Sequence, residues 1–498
     1  MTSARQTLGV GVIGLGWMGE AHARAYLRAP RHFPADNLDV RLVACADNVA
    51  RRAEATARRY GFAEHSTDWR AVVAHRDVDL VSITAPNHLH LEIVEAAAAA
   101  GKHIFCEKPV GRFLAETAAA EAAARAAGVV TGVGYNYRWA PLVQHCGRLI
   151  RAGALGGIRH FHGRFFTMYG SHPLSRLTWR FDREVSGHGA AGDILAHVID
   201  TALFLAGPIK RVVGRQQTDI AQRPLPAPGR GTHFSLGGAG DRKGAVTNED
   251  YVGALLEFAG GGGGTVEASR TVPGPKCEFA FEIYGEKGAL RWDFERMNEA
   301  EVFLVGGDDG GGRGENVGGN GDRGGAGDGD GVGVGDGVGG DGDGDGDSDG
   351  RDGGGRGDGG GGGGGGDGGG GGGDGVGVGG NIGAGFTRIV AGEQHPAHAA
   401  FNPGEAVGLG YEDLKVIELR DFLRRAAAGK NRHGNGAGDG QGAGAGDGAG
   451  ADHGVGDGAG DGDGDADADA DGFPRALAAA QVIDAILRSC DSGRWEEV

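Results

Sequence analysis

No run of apolar residues in this chain approaches the ~18 that a helix needs to cross a bilayer, so no membrane span is expected. Cysteine is scarce. The five thiols, Cys45, Cys106, Cys146, Cys277 and Cys490, lie far apart, with no CxxC pair and no Cys/His ligand spacing. This argues against a disulfide framework and against a metal site, and reads as reduced thiols in a cytoplasmic protein. No charged segment followed by a long apolar stretch precedes the first strand-like run, so no signal peptide is expected either.

Basic charge is also lacking, but unevenly. The net charge of −18 comes from two glycine- and aspartate-rich tracts that hold most of the 106 glycines. Residues 306–380 carry 16 Asp/Glu against 4 Arg, a net of −12, and residues 434–472 carry 10 Asp with no Lys or Arg, a net of −10. Removing −22 from −18 leaves +4 for the rest, so the acidity says little about the folded part and gives no argument for a nucleic-acid partner. Such tracts have too little apolar surface to offset chain entropy, and both are expected to be disordered insertions. Within the first, Asp341, Asp343, Asp345, Gly346 and Asp352 match part of a calcium loop. No amphipathic helix flanks them and the last position is not Glu, so an acidic linker is the simpler reading.

What remains is patterned. Short apolar runs at 8–14, 40–47, 79–84, 103–106 and 129–134 alternate with Ala/Arg-rich helical stretches at 49–60, 88–100 and 115–127. Strands alternating with helices predict an α/β domain with a parallel sheet over 1–134. After Tyr135 the pattern changes. Helices at 139–152 and 190–206 are followed by strand-like runs at 209–216, 251–258, 264–270, 278–284 and 289–294, and one alternating run, 158–169, lies between the helices. Consecutive strands predict an α+β domain with a large, mostly antiparallel sheet. That domain is assigned to 135–305, resumes over 381–433 with a helix at 411–428, and ends over 473–498 with a helix at 475–490.

The first strand runs into Gly14-Leu15-Gly16-Trp17-Met18-Gly19 and then a helix. This is the GxGxxG fingerprint of a Rossmann dinucleotide-binding domain. Gly14 allows the tight turn, Gly16 lets backbone approach a pyrophosphate, and Gly19 lets helix and strand pack closely. Free N–H groups near Trp17 and Met18 at the helix start face the phosphates. Asp47 ends the second strand, where a carboxylate accepts hydrogen bonds from ribose hydroxyls and repels a 2′-phosphate. NAD is therefore favoured, while Arg51 and Arg52 nearby soften the preference and leave NADP open.

Two further segments carry chemistry. Glu107-Lys108-Pro109 follows the strand at 103–106, at the sheet edge where ligands bind. In Gly192-Asp193-Ile194-Leu195-Ala196-His197-Val198-Ile199-Asp200, helical spacing puts Asp193, His197 and Asp200 on one face. The bland alternative is a capping acid and a satisfied core histidine. Oxidation of a secondary alcohol needs a base near neutral pH, and free histidine titrates near 6.5 against about 10.4 for lysine. His197 is thus the better base, Lys108 a cation that orients the oxygen, and Asp193 an acceptor for a neighbouring hydroxyl, while a proton relay shared by Lys108 and His197 stays open.

Together these motifs resemble the glucose–fructose oxidoreductase / inositol dehydrogenase / rhizopine-catabolism (Gfo/Idh/MocA) family. The resembling segments are GLGWMG at 14–19, APNHLH at 85–90, EKPV at 107–110, GYNYR at 134–138 and GDILAHVID at 192–200, continuing through NEDYVGALLEF at 248–258, IYGEKGALRWDF at 283–294 and GYEDLKVIELRDFL at 410–423. The resemblance implies catalytic roles for Lys108, Asp193 and His197, with Lys108 contacting cofactor as well as substrate. It puts Asn87, His90 and Glu107 on the nicotinamide side and turns Arg138 and Arg180 toward the substrate cleft. It gives Asp200 a role in orienting the histidine or supporting its helix. It further implies a sugar, inositol or related polyol as substrate, and a homo-oligomer of two to four chains joined through the large sheet. Two other readings stay open: a glycoside hydrolase that oxidises transiently and regenerates NAD, and a cofactor-binding protein without turnover.

Overall fold

A computed structural model of the chain describes residues 5–226, 235–305, 385–402, 407–434 and 471–498. The expected disordered insertions, with the calcium-loop match, fall almost wholly outside these residues.

Six strands form a parallel sheet: β1 (Gln6–Ile13), β2 (Leu38–Ala46), β3 (Glu64–Ser66), β4 (Leu80–Ile83), β5 (His103–Cys106) and β6 (Thr131–Val133). Their order is β3-β2-β1-β4-β5-β6. Leu8, Val10, Val12, Leu80, Val81, Ile83 and Ile104 are fully buried, because helices cover both faces and such strands must be apolar on both. The order reverses between β1 and β4. Ile13 pairs with Ala46 on one side and Ile83 on the other, and Ile83 with Cys106. The residues that follow these strands, Gly14, Asp47, Thr84 and Glu107, therefore emerge along one edge, at the switch point where such sheets bind ligands.

The second sheet comprises β7 (Ile158–Phe166), β8 (Ile209–Gln217), β11 (Tyr251–Phe258), β12 (Gly263–Ser269), β13 (Glu278–Gly285), β14 (Gly288–Asp293), β15 (Glu299–Leu304), β16 (Thr387–Val390) and β17 (Glu496–Glu497). A small hairpin, β9 (Gln222–Pro224) with β10 (Lys243–Ala245), stands apart. The order is β16-β15-β14-β13-β7-β12-β11-β8-β17, antiparallel except for β7 with β12. The expected α/β domain followed by a mostly antiparallel sheet is the architecture found. Strands β3, β9, β10, β15, β16 and β17 are beyond those the sequence pattern marked, because they are short or lack a readable alternation.

The Ala196–Leu205 helix lies on this sheet. It comes close because Gly163 of β7 has no side chain: a Cβ there would sit 2.6 Å from Val198 Cγ1. The Tyr411–Gly434 helix returns to the parallel-sheet domain and docks on the Trp17–His32 helix through Arg24–Glu412 and Arg28–Asp413 ion pairs. The Phe473–Ser492 helix packs on β8 and on the Leu114–Ala127 and Ala196–Leu205 helices. The two sheets are thereby locked around the Lys108 loop.

Candidate active site

The cofactor turn begins with Gly14, whose φ is +89°, the left-handed region that glycine adopts without strain. A Cβ on Gly14 would lie 2.6 Å from Ala85 N, and one on Gly19 would lie 2.0 Å from Gly14 O, so both positions are closed to larger residues. Above Gly16 there is open space. The Trp17–His32 helix starts at Gly16 with no side-chain cap, leaving the first N–H groups free for an anion. These features fit a dinucleotide pyrophosphate. Trp17 is 64% exposed and stacks on Tyr411, and the Tyr411 hydroxyl reaches toward Met18 Sδ. Asp47 is buried at the end of β2. Its Oδ2 accepts from Leu15 N at 2.9 Å and its Oδ1 from Val49 N at 2.9 Å, while Arg52 Nη1 lies 3.0 Å from both oxygens. The guanidinium foreseen as a softening influence is thus bonded to the carboxylate itself.

Lys108, Asp193 and His197 converge beside this edge. Lys108 Nζ donates to the Asp193 carbonyl at 2.5 Å and lies 3.3 Å from Asp193 Oδ1. Tyr169, just past β7, donates its hydroxyl to Asp193 Oδ2 at 2.7 Å. Burial works to raise the Asp193 carboxyl, but Lys108, Arg180 and the Tyr169 hydrogen bond outweigh it and hold the group well below its usual range. His197 is pushed well below 6.5, first by burial and then by the Lys108 cation. It is a neutral imidazole at neutral pH. Tyr137 sets its edge against this ring at a centroid distance of 4.7 Å.

One expectation needs correction in detail. Asp193 does not sit on a regular α-helix with His197. Ala191–Leu195 forms a π turn, and the α-helix begins at Ala196. The Asp193 carbonyl in this turn accepts from Lys108.

Several residues expected to line the cleft make hydrogen bonds within the protein. His90 has both ring nitrogens against backbone carbonyls, Pro109 O at 2.9 Å and Ala85 O at 2.8 Å, and is 1% exposed. It ties the Lys108 loop to the β4 loop. Asn87 donates to Ser186 O at 2.8 Å. Glu107 Oε1 is bonded to His22 Nε2 at 2.9 Å and to Lys415 Nζ at 2.6 Å, and Lys415 also reaches Glu418 Oε2 at 2.9 Å. Arg138 lies 3.7 Å from Asp200 and 2.7 Å from Asp471, fully inside the protein. Arg138, Asp200, Asp471 and Arg475 thus form one cluster of charges inside the protein. Arg180 remains near Asp193, its guanidinium 4.5 Å over the Trp179 ring.

Tyr169 and Tyr137 are the site residues that sequence reasoning missed. Tyr137 lies inside the quoted GYNYR segment. Nothing local to Tyr169 marks it. Among the described residues, no group of His, Cys, Asp and Glu could hold a metal, and no helix is long and apolar enough to cross a membrane.

Comparison with known proteins gives two family matches. Residues 8–135 match the oxidoreductase family with an NAD-binding Rossmann fold, and residues 143–291 match the GFO/IDH/MocA C-terminal domain. Levoglucosan dehydrogenase of Pseudarthrobacter phenanthrenivorans is 41% identical over 301 residues, covering 60% of this chain and 77% of that protein. Inositol 2-dehydrogenase of Rhizobium meliloti is 28% identical over 296 residues, 59% of this chain and 78% of that one. A structure of levoglucosan dehydrogenase in complex with NADH and levoglucosan aligns with a TM-score of 0.71 at 28% identity, over 99% of this chain and 100% of that one.

Proposed function

The chain belongs to the Gfo/Idh/MocA family of NAD-binding oxidoreductases, and on that premise we propose that it is an NAD-dependent dehydrogenase acting on a secondary hydroxyl of a pyranose-type sugar or anhydrosugar. The observation that carries this reading is the meeting of Lys108, Asp193 and Tyr169 in one hydrogen-bonded group next to neutral His197.

The Gly14–Gly19 turn, the start of the Trp17–His32 helix and Asp47 would hold the dinucleotide, whose nicotinamide would supply the acceptor for the hydride of the carbinol carbon. His197 receives the hydroxyl proton. Its Nδ1 is buried, which leaves Nε2 as the nitrogen for substrate. Lys108 steadies the developing alkoxide, and Asp193 anchors it in place at 3.3 Å. The Asp193 carboxylate accepts from a neighbouring hydroxyl, a contact that suits a vicinal diol. Asp47 favours NAD over NADP, because a 2′-phosphate would meet its charge. Arg138 and Asp200 support the histidine helix in this scheme, and His90, Asn87 and Glu107 hold the loops that present Lys108. Association of chains would use the open face of the nine-stranded sheet, where Leu255 is half exposed.

The test is NADH absorbance on a panel including levoglucosan, myo-inositol and simple pyranoses, with NAD and NADP in parallel. Steady NADH accumulation on an anhydrosugar or pyranose is expected. Glycoside cleavage without net NADH would replace this reading with the hydrolase, and NAD binding without turnover of either kind would leave a cofactor-binding protein.

A further inference from the structure

Residues 167–182 carry Tyr169 and Arg180, both of which act on the Asp193 carboxylate, yet their regular structure is one short turn at Trp179–Phe181. A connection of this kind moves unless something outside it holds its backbone. The β9–β10 hairpin, which belongs to neither large sheet, and the residues joining its strands lie along it. Leu177 N donates to Pro224 O at 2.8 Å, Arg176 N to Ser235 O at 3.0 Å, and Gly237 N to Leu174 O at 2.8 Å.

Arg223, the middle residue of β9, reaches in from the hairpin. Its side chain is fully buried, and its two terminal nitrogens donate to Gly170 O at 2.6 Å and His172 O at 3.1 Å. Those carbonyls follow Tyr169 directly in the chain. Its Cζ lies 4.2 Å from the centre of the Phe181 ring, and among the described residues it has no carboxylate partner. Arg270 stands 4.4 Å from the same ring, but it is paired with Asp250 at 2.7 Å and donates to Arg180 O at 3.1 Å. Two guanidiniums thus meet at Phe181, one bonded to the backbone beside Tyr169 and the other to the backbone of Arg180. Gly170 has little room to drift: its N donates to Arg270 O at 2.8 Å, and a Cβ there would lie 2.9 Å from that oxygen. A buried cation without its own counter-ion is a costly way to stabilise a fold. What the planar fork of Arg223 supplies is two fixed points on one turn of backbone.

We propose that Arg223 is a positioning residue for the sugar site: by holding the Gly170 and His172 carbonyls it sets the Tyr169 hydroxyl on Asp193 Oδ2. Its effect passes through Tyr169. Without it, Asp193 keeps Lys108 at one oxygen while the phenol at the other is free to drift, and the carboxylate no longer presents one fixed acceptor to a substrate hydroxyl. The clamp does not touch the Gly14–Gly19 turn, so dinucleotide binding is independent of it.

The consequence for turnover rests on the dehydrogenase reading, but the clamp itself is tested without substrate. Arg223→Met keeps the apolar stem and strands no paired carboxylate, so the fold should persist. Hydrogen exchange of the full chain, read by mass spectrometry, should show residues 168–177 exchanging about tenfold faster or more, with the parallel sheet unchanged. Unaltered exchange there would overturn the clamp. In turnover, Arg223→Met should lower kcat/KM for the sugar by roughly three- to tenfold, with NADH affinity unchanged. The double variant of Arg223→Met with Tyr169→Phe should be no worse than Tyr169→Phe alone, because both changes break one chain of contacts. Losses that multiply, or full activity in Arg223→Met, would show that Arg223 does not act through Tyr169. If Arg223→Met failed to fold, the same exchange and double-variant comparisons are made on Arg223→Lys, which keeps the charge and loses the fork. Absence of NADH formation on every sugar would sink the dehydrogenase reading, while the exchange result still decides the clamp.

Discussion

Tyr169 and Lys108 hold opposite oxygens of one carboxylate: the tyrosine hydroxyl bonds Asp193 Oδ2 at 2.7 Å, and the lysine ammonium lies 3.3 Å from Oδ1. The three residues come from the end of a strand in the large sheet, a loop of the parallel sheet and the π turn between them. Each fixes the other two, and the site exists only when both sheets are in place.

Removing the ends of this arrangement should separate chemistry from binding. Lys108→Met and His197→Ala are each expected to lower kcat by about two orders of magnitude or more, with NADH binding measured by fluorescence retained. Retained turnover in either variant removes that residue from the reaction.

Tyr169→Phe deletes one hydrogen bond to a charged acceptor, worth roughly 1.5–3 kcal/mol. The Asp193 carboxylate should then swing, lowering kcat/KM by about tenfold or more with an unchanged melting temperature. A variant as active as the original would mean that Lys108 alone orients Asp193.

The pH profile should follow His197. Only the neutral imidazole accepts a proton, and burial together with the Lys108 cation depresses its pKa below 6.5. The logarithm of kcat/KM should therefore stay level as pH falls through 6.5 and decline only further down. Lys108→Met removes a nearby cation, so the residual activity should lose its acid tolerance and fall at higher pH. A wild-type limb at or above 6.5 would place the base elsewhere.

Cofactor preference is expected to depend on Asp47. In Asp47→Ala the carboxylate bonded to Leu15 N and Arg52 is gone, and Arg52 becomes free to meet a 2′-phosphate. The ratio of kcat/KM for NAD over NADP should shrink by about tenfold or more. An unaltered ratio would show that the ribose is read by other groups.

Lys415 is fully buried between Glu107 and Glu418. Lys415→Met leaves a buried carboxylate uncompensated and should cost about 3–5 kcal/mol, read as a lower denaturant midpoint. The pH dependence has two signs. Burial would raise Glu107, but Lys415 and His22 hold it below 4.5, so its contribution is present above 4.5 and fades as pH falls further. Glu418 is raised to about 8, chiefly by burial, so its contribution is complete below 4.5 and is lost as pH rises toward 8. Glu418→Gln should flatten the slope between 4.5 and 8, and an unchanged slope would assign it to other groups.

Much of the site was legible because its parts are local. Gly14, Gly16 and Gly19 declare a turn by spacing, and the meaning of Asp47 and Lys108 follows from strand ends in a parallel sheet. Asp193 and His197 stood out as polar residues in an apolar helix. What sequence could not provide was partnership at a distance. Glu107 meets Lys415 across 308 positions, and Tyr169 meets Asp193 from another element, so neither bond leaves a periodic trace. The same holds for Arg138 and Asp200: a buried charge looks alike in sequence whether it faces a ligand or a counter-ion. The π turn was invisible as well, since nothing in the sequence of Ala191–Leu195 marks a widened turn.

Strands β15 and β16 are antiparallel neighbours, with Val302 opposite Thr387, although about 80 residues separate their ends along the chain. A hairpin whose two ends already meet sets no upper bound on what joins them. The cost of closing such a connection grows only with the logarithm of its length, about 0.6 kcal/mol for each doubling. Lengthening the connection at this point therefore costs the sheet little beside the pairings it keeps.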